Sequence, residues 1–143
     1  MYKLFSTAPV LLPAGLTFIR IIIGFFLMYH GWEVFDKDKM NEYAAWDVFK
    51  GSSSPSVMVY LGKASELIAG FLLFCGLLTR VAAIIMILTF LYISFFVGHG
   101  KIWYDDQYPF LFALFGLFFF FTGPGKWSLD NLIFRSSKIP IRE

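Results

Sequence analysis

Charge and cysteine are scarce in this chain, and each scarcity excludes a class of protein. Charged residues make up 15% of its 143 residues, whereas ordinary soluble domains contain about 25%. The net charge of +2 is too small to suggest a nucleic-acid partner. The single cysteine, Cys75, excludes an intrachain disulfide, a CxxC redox pair and a thiolate metal cluster.

Apolar residues are abundant: the chain is 58% hydrophobic and 21% aromatic. This composition predicts an integral membrane protein in contact with the lipid bilayer, and the length suits one domain, residues 1–143. Apolar runs of the length that crosses a hydrocarbon core of about 30 Å predict spans at about 14–34, 56–78, 81–98 and 108–122. We therefore predict an all-α, four-helix transmembrane bundle with up-down-up-down topology. The first run continues as a full span and lacks a signal-peptide cleavage site.

The segment between the first two spans is polar and mixed in charge. Residues 39–49 carry interspersed aromatic side chains, which favour a short helix at the membrane interface with those aromatics among the headgroups. A plain solvated loop is an equal alternative. Lysine and arginine outside the spans set the orientation. Because Arg80, Arg135 and Arg142 share one side and the other side is rich in carboxylates, we predict that both termini are cytoplasmic.

The second span carries an acid, Glu66, on a face of small residues. At about 100° per residue, that face also contains Gly62, Ser65, Ala69, Gly70, Leu73 and Gly76. Small residues allow close helix packing in lipid, so we expect Glu66 to point into the bundle. An acid at membrane depth is a candidate functional residue.

Arg20 lies on the equivalent face of the first span, with Gly24, Leu27 and Gly31. An unpaired arginine in the membrane costs at least about 2.5 kcal/mol, which favours a buried pair between Arg20 and Glu66. Such a pair is either a structural clasp between helices or part of a catalytic site in which Glu66 handles protons or a quinol.

Polar residues gather at the outer ends of the spans and form a second candidate site. The candidate ligand-binding residues are His30, Glu33, Tyr92, His99, Asp105 and Asp106. Histidine and carboxylate groups suit a metal, a proton relay or a polar substrate, but their spacing matches no metal signature, and we predict no metal. Capping and loop hydrogen bonds are the alternative. Outer tryptophans and tyrosines predict an aromatic belt or a platform on which a quinone ring stacks.

Three sequence pieces resemble the DoxX family of small four-helix membrane proteins. They are Arg20-x-x-x-Gly24 with Gly31, Glu66-x-x-x-Gly70 with Gly76-Leu-Leu-Thr79-Arg80, and Gly123-Pro-Gly125-Lys-Trp-Ser128-Leu-Asp130. That family is named after a membrane subunit linked to thiosulfate:quinone oxidoreductase, and relatives are associated with redox and thiol-stress complexes or with the assembly of membrane proteins.

The resemblance implies a subunit of a quinone-linked or thiol-stress oxidoreductase system in a bacterial inner membrane. Its implied cofactor is a quinone, and its implied partners are other membrane subunits or a soluble redox protein. Because the chain has no recognisable catalytic set, the alternative is a non-catalytic scaffold or assembly factor within a larger membrane complex.

Overall fold

The computed structural model describes residues 11–134, which fold as six α-helices with short 3-10 segments and turns. The helices are α1 Leu12–Gly31, α2 Lys37–Ala44, α3 Pro55–Cys75, α4 Thr79–Tyr92, α5 Gln107–Thr122 and α6 Leu129–Ile133. The 3-10 segments Trp32–Phe35 and Asp47–Phe49 flank α2, and a π-helical segment, Ile93–Val97, continues α4.

Within residues 11–134, three helical segments are long and apolar enough to cross a membrane: Leu12–Phe35, Pro55–Cys75 and Thr79–Val97. They coincide with the first three predicted spans. The fourth predicted span corresponds to α5, which is apolar but only 16 residues long. The prediction of an all-helical membrane protein is therefore confirmed, and a fourth crossing stays a prediction.

The turn between α3 and α4 lies earlier than the sequence predicted. The expected second span extended to residue 78, but α3 ends at Cys75 because Gly76 takes the left-handed conformation with φ of 66°. Glycine adopts that conformation without the steric cost that a Cβ imposes. The next helix then begins at Thr79, two residues before the predicted start of the third span.

Backbone contact through glycines holds α1 against α3. A Cβ on Gly70 would lie 2.6 Å from the Met28 backbone nitrogen, and one on Gly24 would lie 2.9 Å from the Gly70 carbonyl oxygen. No side chain fits at that separation, so both positions require glycine. The predicted small-residue faces of the first two spans are confirmed, since every member lies at least partly buried.

The main core continues from this contact across α4 to α5. Helix α3 packs on α4, and α4 packs on α5. Leu73, Ala83, Met86, Ala113 and Phe119 are almost fully buried in one cluster. Alanine and glycine on the facing helices allow the close approach that van der Waals packing in lipid requires.

The segment between α1 and α3 forms a helix, so the loop alternative is wrong. Helix α2 is capped by the Asp36 carboxylate, which accepts hydrogen bonds from the backbone nitrogens of Asp38 and Lys39. Met40 and Phe49 pack with Val59 in a second small core. The expectation that the aromatics here all enter the headgroups is therefore wrong for Phe49, which is buried against α3.

The orientation prediction depends partly on residues outside the described range, namely Lys3, Arg135, Lys138 and Arg142. Orientation relative to the membrane therefore stays a prediction.

Candidate functional site

Lys63 connects two carboxylates and is the centre of the candidate site. Its Nζ lies 3.1 Å from Glu66 Oε2 and 3.0 Å from Glu33 Oε2. The three side chains are mostly buried, with exposed fractions of 17% for Lys63, 7% for Glu66 and 20% for Glu33. Burial reduces screening by water, so this is a firm ionic link between α3 and the segment that follows α1.

Glu33 extends the link to α2. Its Oε1 accepts a hydrogen bond from Lys39 Nζ at 2.8 Å, and its Oε2 accepts one from the Tyr43 hydroxyl at 3.0 Å. The hydrogen bond to Glu33 raises the pKa of Lys39. Burial, followed by the hydrogen bond to Glu33, raises the pKa of Tyr43, so Lys39 stays cationic and Tyr43 neutral near pH 7.

A cavity of about 560 Å³ lies beside Lys63 and Glu66. Its walls come from α2, the segment after α2, α3, α4 and the π-helical segment, and they are mostly apolar. Tyr43, Trp46, Phe49 and Tyr92 provide aromatic surface. Its size and lining, mainly apolar with a few polar groups, are typical of small-molecule sites.

The α3–α4 wall of the cavity contains a polar contact that holds the two helices together. The Ser65 and Thr89 hydroxyls lie 2.9 Å apart, and the Ser65 hydroxyl also donates to the Gly62 carbonyl oxygen. Helix α4 thus meets α3 through Thr89. Its neighbour Tyr92 lines the cavity and stacks on Phe96, with ring centroids 5.3 Å apart.

A second, more polar cleft of about 590 Å³ lies on the other side of Glu33. It is lined by Tyr29, Trp32, Glu33, Phe35, Asp36, Lys37 and Lys39. Several of these side chains are exposed and charged. Glu33 and Lys63 therefore stand between this cleft and the apolar cavity.

The predicted pair between Arg20 and Glu66 is wrong. The Arg20 guanidinium donates through Nη1 to the Pro124 carbonyl oxygen at 2.8 Å and through Nη2 to the Trp127 carbonyl oxygen at 2.7 Å. It lies directly against Gly76, which is about 15 Å farther along α3 than Glu66 at 1.5 Å per residue. The antiparallel contact of α1 with α3 sets this spacing, since Gly31 meets Leu67 and Gly24 meets Phe74.

Arg20 instead belongs to a structural cluster that joins three chain segments. The Asp130 carboxylate accepts hydrogen bonds from the backbone nitrogens of Leu78 at 2.6 Å and Thr79 at 2.9 Å, which caps α4. The Ser128 hydroxyl caps α6 by accepting from Asn131 N at 3.1 Å. Ser128 and Asp130 are therefore helix-capping residues.

The outer cluster predicted from the sequence does not form as one group. The Asp106 carboxylate accepts from the backbone nitrogens of His99 at 2.9 Å and Lys101 at 2.8 Å, and Asp105 lies 3.4 Å from Lys101 Nζ on the surface. These contacts favour the capping alternative for the loop before α5. The exposed His99 side chain is not among the residues that line the cavity.

Of the predicted ligand-binding residues, Glu33 joins Glu66 through Lys63, and Tyr92 lines the same cavity as Glu66. His30 is near, because its carbonyl oxygen lies 3.4 Å from Lys63 Nζ, but its side chain is exposed. Within residues 11–134, no group of three or more His, Cys, Asp and Glu side chains is placed to hold a metal ion. Ligand binding by His30, Glu33 and Tyr92 stays a prediction.

Lys63 is the residue that the sequence analysis missed, although it lies within the predicted second span, 56–78. A signal was present: Lys63 and Glu66 are three residues apart, and side chains at that spacing meet on a helix surface. No local signal pointed to the carbonyl partners of Arg20, which are more than 100 residues away in the chain.

Comparisons with known proteins match the chain to two bacterial proteins and to one family. It is 28% identical over 130 residues to an uncharacterised protein of Haemophilus influenzae, covering 86% of this chain and 93% of that protein. It is 27% identical over 125 residues to a Bacillus subtilis protein named "Putative oxidoreductase CatD", covering 87% and 90%. No solved structure gives a significant match. The DoxX family model matches residues 15–99, which is more than half of the chain; the chain belongs to the DoxX family.

Proposed function

We propose that this protein is a membrane subunit of an oxidoreductase system and that it holds a quinone-type ring in the cavity beside Lys63 and Glu66. The observation that carries the proposal is the ion pair on the wall of an otherwise apolar, aromatic-lined cavity. The family and the name of the Bacillus subtilis relative support the redox assignment.

The chemistry of the walls suits a neutral ring with oxygen substituents. Tyr43, Trp46 and Tyr92 offer aromatic faces on which a flat ring stacks favourably. The Lys63 ammonium has three hydrogens to donate. Two serve Glu66 and Glu33, and a ring carbonyl oxygen takes the third in place of the more distant His30 carbonyl oxygen at 3.4 Å. The Glu66 carboxylate accepts a hydrogen bond from the hydroxyl of the reduced ring, so the pair serves both redox forms.

The route into the cavity suits a ligand dissolved in lipid. Met58, Leu61 and Tyr92 line the cavity and are also exposed on the outer surface of α3 and α4. Those surfaces belong to segments that are apolar enough to cross a membrane. A hydrophobic tail attached to the ring would therefore remain in lipid, as the tails of membrane quinones do.

The proposed subunit crosses the membrane four times. Helix α5 serves as a fourth span, which puts both termini on the same side of the membrane, in the cytoplasm of a bacterium. Residues 1–143 form one domain. Other membrane subunits or a soluble redox protein supply the remaining redox chemistry. Labelling of Ser53→Cys in a Cys75→Ala background tests the orientation: an external thiol reagent should react in intact cells, and reaction only after lysis would contradict it.

Binding of decylubiquinone to the full chain in lipid nanodiscs tests the ligand assignment. Bound quinone should quench the fluorescence of Trp46, so the saturable part of the quenching should disappear in Trp46→Phe. Lys63→Gln should weaken binding by about tenfold or more, because a hydrogen bond to a charged group contributes about 1.5–3 kcal/mol. Lys37→Gln is the matched control, since Lys37 is exposed on α2 and should bind as the unchanged protein does.

Equal binding by the Lys63→Gln and Lys37→Gln proteins would contradict the assigned position of the ring. Complete absence of binding by the folded protein would instead favour the alternative role, a non-catalytic scaffold or assembly factor in a larger membrane complex, which needs no ligand.

A further inference from the structure

Glu66 is connected to the polar cleft by an unbroken series of ionisable side chains. Glu66 lines the apolar cavity, Glu33 lines the cleft, and Lys63 Nζ lies within 3.1 Å of a carboxylate oxygen of each. Lys39 Nζ, at 2.8 Å from the other oxygen of Glu33, is exposed. Proton transfer needs donor and acceptor atoms within hydrogen-bond distance, and every step of this series meets that requirement.

We propose that Lys63 and Glu33 carry protons between Glu66 and the polar cleft, and that a neutral ring entering the cavity causes Glu66 to take up a proton by this route. The inference rests on the proposed function, because it assumes the same cavity and the same class of ligand. It adds that the proton reaches Glu66 from the polar cleft and that Glu33 and Lys63 transfer it.

Each step of the transfer balances. Lys63 donates a proton from Nζ to Glu66 Oε2 and becomes a neutral amine. Glu33 takes a proton from a water molecule in the cleft, which leaves hydroxide there, and then passes a proton to Lys63 Nζ. The net result is one proton moved from water to Glu66, with Lys63 again an ammonium and Glu33 again a carboxylate.

The physical cause of uptake is loss of water from the cavity. A carboxylate is stabilised by hydration, and a neutral ring that displaces water beside it favours its protonated form. The ionisable groups that face Glu66 are Lys63 on its own helix, His30 and Glu33 from the α1 side, Tyr43 from α2 and Tyr92 from α4. Among these, only Lys63 makes a hydrogen bond to Glu66 within the described residues.

Stopped-flow mixing of oxidised decylubiquinone with the full chain in nanodiscs tests the proposal, with a pH-indicator dye in weakly buffered solution. No reductant is present, so any pH change reports binding alone. The unchanged protein should take up as much as about one proton per bound ring. Glu66→Gln should take up no proton at ring concentrations that saturate its own binding, whatever its affinity. Glu33→Gln should take up the same amount at least about tenfold more slowly, because a proton-transfer group has been removed.

Glu42→Gln is the matched control, because Glu42 is an exposed carboxylate on α2 that lines neither cavity. It should take up protons at the unchanged rate. If Glu33→Gln fails to fold, Glu33→Asp replaces it; the shorter side chain keeps the charge but loses contact with Lys63, so slow uptake is again expected.

Several outcomes would overturn the inference, and they differ from failure of the proposed function. Ring binding without any proton uptake would refute the coupling and leave the quinone site intact. Uptake at the unchanged rate in the Glu33 variant that folds would refute the route. Absence of ring binding would overturn the proposed function itself and this inference with it.

Discussion

Arg20 and Glu66, two buried charged groups of this protein, have opposite surroundings. Arg20 is 2% exposed, and its two Nη atoms donate to carbonyl oxygens of the segment between α5 and α6. Glu66 is also buried, but its partner Lys63 is shared with Glu33, and an open cavity lies beside the pair. One charge is enclosed by backbone, and the other adjoins space for a ligand.

The difference shows how a buried charge can be assigned a role. A guanidinium that donates to backbone carbonyls has no proton to exchange at ordinary pH, so its contribution is to hold chain segments together. A carboxylate with an ionisable partner and a neighbouring cavity can change its charge when a ligand arrives. We therefore expect substitutions near Arg20 to affect stability and substitutions near Glu66 to affect ligand binding.

Arg20→Ala should have the largest effect on stability. It removes two charge-assisted hydrogen bonds, each contributing about 1.5–3 kcal/mol, so the free energy of unfolding should fall by about 3 kcal/mol or more. Thermal unfolding in detergent measures the change. Arg80→Ala is the control, since Arg80 is exposed at the start of α4. Similar midpoint temperatures of unfolding for the two variants would show that Arg20 does not hold α1 to the segment between α5 and α6.

Gly76→Ala should be the next most damaging change. A Cβ at this position would overlap the Arg20 guanidinium, and the backbone φ is 66°. The left-handed backbone conformation alone costs a residue with a Cβ about 1–3 kcal/mol. Gly62→Ala beside the cavity is the matched control, because a Cβ there meets nothing within 4 Å, and its helix should be unchanged or stabilised by up to about 1 kcal/mol. Equal losses in the two variants would contradict the assigned contact.

Asp130→Ala should have a moderate effect through loss of the α4 cap. Two backbone nitrogens lose their acceptor, and loss of a helix cap costs about 0.5–2 kcal/mol. Asp130→Asn keeps one side-chain oxygen and should recover part of the loss. Chemical unfolding followed by circular dichroism measures the free energy of unfolding of the unchanged protein and the two variants. A lower stability for Asp130→Asn than for Asp130→Ala would contradict the capping role.

Glu66→Gln should have the smallest effect on stability, below about 1 kcal/mol, because glutamine still accepts a hydrogen bond from Lys63 and Lys63 keeps Glu33. Its expected effect is on proton uptake instead. Thermal unfolding of Glu66→Gln and Arg20→Ala under the same conditions compares the two losses of stability. A loss as large as that of Arg20→Ala would show that both charges are structural and would remove the distinction between them.

The helix faces around these residues were predictable from the sequence. In a regular helix, spacing alone determines which residues share a face, so Arg20, Gly24 and Gly31 on α1 and Glu66 and Gly70 on α3 were assigned correctly to the packed sides. The apolar runs and the small residues likewise determined that the chain is helical and suited to a membrane, because few other arrangements satisfy the backbone in lipid.

Only the tertiary structure decided which of these residues meet. The register between α1 and α3 depends on where the glycines allow the two backbones to touch, and that contact places Arg20 beside Gly76 and Glu33 beside Lys63. A shift of one helical turn, about 5.4 Å, would exchange these partners without any change in the pattern of either helix. The cavity likewise requires α2 to fold back against α3, so it exists only when Phe49 packs on Val59.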